Sequence, residues 1–326
     1  MTPTPVPYDP ALEPGRAAML RLIEPIPLRA DTITANREHF ASIVPPIEEA
    51  IGDRPVAYEH VTVPGPAGAP DVELTVLRPR DHTGDAPGIY GIHGGGMVVG
   101  TRFFGAAGLV EDVLRFGAVA ATVEYRLAPE HPAPAAAEDC YAGLVWFAEH
   151  AADLGVDPAR IIVGGASAGG GLSAAVALMA RDRGGPALAG QILDCPMIDD
   201  RNETVSSRQY GDLGPWDGGN NDTAWTALLG SRRGTGDVSP YAAPARATDL
   251  SGLPPAFITV GAAEVFRDEA IDYATRIWAT GGRAELHVWS GAYHGFTGFS
   301  PEAEVSRAAV AARDSWLRRV LSVDPE

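Results

Sequence analysis

Apolar residues along this chain recur with two different periods. Between about residues 8 and 50 the spacing is helical: in ALEPGRAAMLRLIE, Leu12, Met19, Leu22 and Ile23 fall near one face of a helix. From Val61 the period shortens to two, and VTVPGP and DVELTVLRPR alternate as antiparallel strands do. Six short β-rich runs follow: GIYGIHGGG, AVAATVEYRL, RIIVGGAS, GQILDCPMI, PAFITVGAAE and AELHVWSGAYH. Longer helical stretches separate them, EDVLRFG, AAAEDCYAGLVWFAEHA, GGGLSAAVALMARDR and EAIDYATRIWATGG. Alternation of strand and helix predicts an α/β fold, a mostly parallel central sheet with helices on both faces. The antiparallel opening pair makes the sheet mixed. From about residue 200 the rhythm breaks. RNETVSSRQYGDLGPWDGGNND is polar, rich in glycine and tipped with aromatics, and reads as a lid insertion around 200–235 that joins the N-terminal helices.

Composition narrows the partners. A chain of 326 residues suits one α/β domain with a modest insertion or cap, and 45% apolar residues suffice for a large core. The net charge of −17 argues against nucleic acid and anionic membranes, both of which select basic surfaces. No stretch approaches the roughly 20 apolar residues of a membrane span. MTPTPVPYDPALEP has neither a basic nor an apolar signal region, so the expected location is the cytoplasm. Cys140 and Cys195 each sit in an apolar run and read as buried free thiols. Neither zinc-ligand spacing nor partners for Glu130-His131 are visible, so no metal is expected.

The chemistry concentrates in two glycine-rich turns. Gly165-Ala166-Ser167-Ala168-Gly169 is a G-x-S-x-G string that follows the β-run Ile161-Ile162-Val163 and opens a helical run. A nucleophile elbow needs that strand–turn–helix context, because a tight turn then holds the serine exposed above the sheet edge. Gly94, Gly95 and Gly96 follow another β-run, and amides without side chains suit an oxyanion hole. The donors expected are the amides of Gly94, Gly95 and Ala168. His93 is read as a brace for that loop rather than as a base. Ser, acid, His is the chain order of such a site, so only His287 and His294 lie late enough. His287 is fixed within an alternating strand; His294 follows the strand, where a loop brings it over the elbow. For the acid, Asp199, Asp200, Glu264, Asp268 and Glu269 all lie between Ser167 and His294 near strand or helix ends.

These motifs together resemble the bacterial hormone-sensitive-lipase-like esterases. HGGG at 93–96, EYRLAPEHPAPAAAED at 124–139, GGASAGG at 164–170, FRDE at 266–269 and AYHGF at 292–296 all match that family's pattern. The resemblance implies an α/β-hydrolase fold, carboxylic ester hydrolysis without a cofactor, and a helical cap over the site. It divides the chain into an N-terminal helical cap segment, 1–50, and a catalytic domain, 51–326. Aligning Arg267-Asp268 with the family segment places Glu264 on the acid, where the family usually has Asp followed by Pro-Leu. Ala166 is a second departure, since many members are acidic there. The implied triad is Ser167, Glu264 and His294, and the implied substrates are small-molecule esters with short to medium acyl chains.

Glu124, Tyr125, Arg126, Glu130 and Asp139 read as a polar network bracing the oxyanion loop. Met97, Phe103, Phe104, Tyr210, Trp216 and Trp225 are candidate pocket residues. Hydrolysis of amides, carbamates or lactones uses the same triad, and a non-catalytic small-molecule receptor uses the same fold. The strand AELHVW is a candidate edge for pairing in a homodimer.

Overall fold

The computed structural model describes residues 3–23 and 26–323. Helices α1 (Glu13–Ile23), α2 (Ile33–Ile43) and α3 (Ile47–Ile51) precede the sheet. Strands β1 (Val56–Val63), β2 (Val72–Pro79) and β3 (Ala86–Ile92) follow, then α4 (Ala106–Phe116) and β4 (Val119–Glu124). Next come α5 (Ala135–Glu149), α6 (Ala151–Leu154), β5 (Val156–Ala166), α7 (Ala168–Arg183) and β6 (Gly190–Asp194). After α8 (Val205–Gln209) and α9 (Gly218–Leu229), the chain ends in β7 (Ala256–Gly261), α10 (Arg267–Ala279), β8 (Ala284–Trp289), α11 (Phe296–Phe299) and α12 (Glu304–Leu321).

Each expected β-run becomes a strand of one eight-stranded sheet, ordered β1-β2-β4-β3-β5-β6-β7-β8. β2 pairs antiparallel with β1 and with β4, and the remaining neighbours are parallel. Consecutive strand residues point to opposite faces, and here both faces are covered. Leu77, Ile89, Ala120, Ile162, Ile192 and Phe257 pack with α3, α4 and α12. Their chain neighbours Val76, Tyr90, Ala121, Val163, Leu193 and Ile258 pack with α5, α7 and α10. Burial on both faces is why these strands read as continuous apolar runs.

The strand order sets the place of the site. β3 leads through α4 to β4 on one side, and β5 leads through α7 to β6 on the other. The two loops leave in opposite directions, which opens a crevice at the carboxyl ends of β3 and β5.

The N-terminal region is helical but broken into three pieces, and its apolar stripe is narrower than expected. Leu12, Met19, the loop residues Ala292 and Tyr293, and Phe296 of α11 form one buried cluster. Leu22 is 46% exposed instead. The 200–235 segment is more regular than its polar composition suggests. Thr204 caps α8 by accepting from the Ser207 amide, and Asp217 caps α9 by accepting from the Asn220 amide at 2.7 Å. Ala224, Trp225, Leu228 and Leu229 then bury one face of α9. Tyr210 donates its hydroxyl to the Val6 carbonyl at 2.7 Å, and Gln209 donates to the Thr4 carbonyl at 2.5 Å. The segment is thereby tied to the N-terminus. Among the described residues, no helix is long and apolar enough to cross a membrane.

Candidate active site

Ser167 sits between β5 and α7 with φ 59° and ψ −121°. A non-glycine residue in this region costs of order 1–3 kcal/mol and persists only where its surroundings hold it. Backbone bonds do so: the Ser167 amide donates to the Asp194 carbonyl at 2.8 Å, and the Gly171 and Met197 amides both donate to the Ser167 carbonyl at 3.0 Å. Gly169 allows the turn to close on β3. A Cβ there would lie 2.0 Å from the Ile92 carbonyl oxygen.

The turn aims Ser167 Oγ at the loop after β8. Oγ lies 3.1 Å from His294 Nε2, and His294 Nδ1 lies 2.6 Å from Glu264 Oε2. Glu264 Oε1 accepts the Gly261 amide at 2.8 Å, which fixes the carboxylate. Only 8% of Ser167, 7% of His294 and 2% of Glu264 is exposed, so the chain of bonds runs in a nearly dry environment. The Phe266 ring meets the His294 imidazole edge-on, with centroids 5.2 Å apart. Phe266 stands in the segment where the family's Pro-Leu is missing.

The glycine loop after β3 crosses in front of the elbow. A Cβ on Gly94 would lie 3.5 Å from Ser167 Cβ. Gly95 has φ 115°, and a Cβ there would lie 2.0 Å from the Val99 carbonyl oxygen, so no other residue fits that turn. Among the described residues, the amides of Gly94 and Gly95 donate to no protein acceptor. Ala168 opens α7, where helical geometry leaves the amide without an intrahelical partner.

His93 braces this loop. Its Nδ1 donates to the Gly94 carbonyl at 2.7 Å, and its ring stacks on Tyr125 at 4.1 Å. Burial pushes its imidazole down to about 4, so it is neutral at physiological pH. Tyr125 donates its hydroxyl to the His93 carbonyl at 3.0 Å. Arg126 holds Asp139 with two bonds of 2.7 and 2.8 Å, Glu124 pairs with Arg102, and Glu130 pairs with Arg37. The sequence signalled these polar residues, but they form separate pairs, and of the five only Tyr125 bonds to the loop.

The sequence did not signal Arg37. From α2, Arg37 donates to the Val98 carbonyl at 2.6 Å and the Ala128 carbonyl at 2.5 Å. Three further groups were not read as neighbours of the site. Asp194, at the end of β6, faces Ala166 in register. Burial, then the charge of Glu264, pushes its carboxyl up to about 6. Cys195 follows it with φ 37°, and burial together with Asp194 and Glu264 pushes its thiol well up. Met19 of α1 lies 3.3 Å from where a Cβ on Gly295 would stand. A carboxylate closing an apolar β-run was the one available signal, and it pointed to Asp194.

The profile of the α/β-hydrolase fold family matches residues 89–298, which span the glycine loop, the elbow, Glu264 and His294. The chain belongs to this family. Within it, the chain is similar to named esterases, in keeping with the hormone-sensitive-lipase-like resemblance. Esterase LipI of Mycobacterium tuberculosis is 32% identical over 299 residues, covering 89% of each chain. Carboxylic ester hydrolase LipN of the same organism is 36% identical, covering 90% of this chain and 77% of LipN. Among solved structures, a bacterial heroin esterase superposes with a TM-score of 0.88 at 37% identity, covering 96% of this chain and 98% of that one.

In this member the other acid candidates lie away from His294. Asp199 binds Arg201, Asp200 binds Arg246, and Asp268 accepts the Ser206 amide at 2.7 Å. Glu269 is buried and accepts the Ile198 and Asp199 amides at 2.8 and 3.3 Å. Burial pushes its carboxyl well above the usual range.

The pocket candidates divide. Trp216 reaches the glycine loop, its ring 2.4 Å from where a Cβ on Gly96 would stand. Phe104 lies 3.7 Å from the same position on Gly94 and packs edge-on against Phe40 of α2. Met97 is buried beneath the loop, with φ 62°. Tyr210 and Trp225 are buried within the 200–235 segment. Phe103 does not join this group. It stacks on the Arg102 guanidinium and neighbours His60, on the face of the sheet that carries α4. Adjacent side chains in this turn diverge, so Phe104 faces the glycine loop and Phe103 cannot.

Proposed function

We propose that this chain hydrolyses carboxylic esters through an acyl-enzyme on Ser167. The observation that carries this reading is the unbroken hydrogen-bond chain from Ser167 Oγ through His294 to Glu264, at 3.1 and 2.6 Å, beside two undonated glycine amides. His294 Nε2 takes the Ser167 proton as Oγ attacks the ester carbonyl. Glu264 holds the tautomer that leaves Nε2 free to accept, and it stabilises the imidazolium that forms. The amides of Gly94, Gly95 and Ala168 receive the oxyanion; each such donor contributes roughly 3 kcal/mol to lowering the barrier. His294 then protonates the leaving alcohol, and water repeats the cycle on the acyl-enzyme.

The N-terminal helices and residues 200–235 serve as the cap. Trp216 and Phe104 stand close to the glycine loop, and this supports short to medium acyl chains over long ones. The test is kcat/KM for p-nitrophenyl esters from acetate to palmitate, run with the Ser167→Ala variant. The expected profile is highest for acetate to butyrate and collapses in the variant. A maximum at palmitate overturns the acyl-length reading. A variant that turns over at the unmutated rate overturns the triad.

A further inference from the structure

Next to the triad lies a group that ester hydrolysis does not use. The Sγ of Cys195, a carboxylate oxygen of Glu264 and a ring nitrogen of His294 all lie within 4.8 Å of one another, and all three residues are buried. We propose that Cys195, Glu264 and His294 form an inhibitory site for a thiophilic divalent cation of the zinc and cadmium type. The inhibition rests on the triad reading; the binding does not.

The donor set is the first argument. Thiolate, imidazole and carboxylate are ligands such ions take together, with water in the fourth tetrahedral position. Bonds of about 2.0–2.3 Å place tetrahedral ligand atoms roughly 3.3–3.7 Å apart. The cluster reaches that spacing by small side-chain movements: the Glu264–His294 contact opens from 2.6 Å, and the widest separation contracts from at most 4.8 Å. Charge is the second argument, because a Glu264 carboxylate oxygen stands within 4.8 Å of the sulfur and Asp194 is the residue before Cys195 in the chain, and two carboxylates there favour a cation. Backbone geometry is the third. Cys195 holds a left-handed conformation at φ 37°, pinned by its amide bond of 2.7 Å to the Thr259 carbonyl, and this turn sets the thiol against the pair.

Binding removes the base whichever ring nitrogen is used. The Sγ–H bond breaks, its proton goes to solvent, and an Sγ–metal bond forms. If Nδ1 gives its lone pair to the ion, its proton moves to Nε2, which then presents N–H to Ser167. If Nε2 binds the ion, the lone pair that accepts the Ser167 proton is occupied. Neither form takes a proton from the serine hydroxyl.

The experiment titrates Cd²⁺ into enzyme stripped with EDTA and follows ester hydrolysis and the ultraviolet thiolate-to-cadmium charge-transfer band together. The expected result is a loss of rate that tracks the band and is reversed by EDTA. Cys195→Ser, normalised to its own metal-free rate, should need at least about tenfold more Cd²⁺, and Cys140→Ser should behave as the unmutated protein. Glu264→Gln should lower the affinity read from the band, a measurement that needs no hydrolysis. The proposal is overturned if the unmutated protein shows no band, or if Cys195→Ser is inhibited at the same Cd²⁺ concentration. A band in a protein that cleaves no ester keeps the metal site and rejects the triad reading; hydrolysis without a band does the reverse.

Discussion

The floor of the site and its roof are held by different kinds of contact. In the floor, Ser167, the glycine loop and His294 stand at strand ends and are fixed by backbone bonds and close backbone approach. The Ser167 amide reaches the Asp194 carbonyl at 2.8 Å, and a Cβ on Gly169 would collide with Ile92. In the proposed cap that forms the roof, α1, α2, α8 and α9 are held by apolar side chains and by side-chain donors such as Arg37 and Tyr210. Backbone contact leaves no room for adjustment, since an added methyl meets an atom that cannot move. Side-chain contact can be repacked at modest cost. The chemistry is therefore expected to depend on the floor and the choice of substrate on the roof.

The largest test of this contrast is Ser167→Ala, which should lower kcat by roughly 10⁶ while leaving thermal stability nearly unchanged; stopped-assay rates on p-nitrophenyl butyrate measure it. Glu264→Gln should lower kcat by about 10⁴, because Gln donates where the imidazole N–H needs an acceptor and favours the wrong tautomer. If kcat fell less than tenfold, the floor would not depend on Glu264. On the roof, Trp216→Ala should leave kcat for acetate within a fewfold and raise the ratio of long-chain to short-chain kcat/KM by about 10–100-fold. An unchanged ratio would take Trp216 out of the pocket.

Glu269 joins the two regions, since it binds the amides that lead from β6 into the 200–235 segment. Burial raises its carboxyl in the folded state, so the native protein binds more protons than the unfolded chain between the ordinary carboxylate value and the raised one. Stability contributed by the protonated acid is therefore present at low pH and falls as pH rises through that window. Glu269→Gln, which stays neutral, should gain in melting temperature over the unmutated protein as pH increases and match it under acidic conditions. The smallest effect is expected for Tyr210→Phe. Losing one bond to the Val6 carbonyl should cost about 1 kcal/mol, or about 2 °C in Tm, with kcat unaltered.

The same contrast explains which residues were legible in the sequence. The floor is local in sequence: G-x-S-x-G after Ile161-Ile162-Val163, and three glycines after a β-run, state their geometry within a few residues. Ser167 was found that way, and His294 by its place late in the chain, just after a strand. Glu264 needed the family resemblance, because five acids lay in suitable places and only contact with His294 separates them. The roof is non-local. Arg37 meets Val98 across 61 positions, and Tyr210 meets Val6 across 204, and no short window contains both partners. In α9 the caps and the apolar face were visible in DGGNNDTAWTALL, but the surrounding glycine and polar residues hid its period.

The sequence alone determined the mixed α/β sheet, the elbow and the late histidine, because strand period and glycine turns are properties of neighbouring residues and chain order is read directly along the chain. The resemblance pointed to Glu264, but tertiary structure alone decided that its carboxylate meets His294 while the other acids pair elsewhere, that Phe104 faces the glycine loop while Phe103 turns away, and that a thiol stands beside Glu264 and His294. Those outcomes depend on which distant elements pack together, and packing is settled by the burial of whole faces rather than by any local run of residues.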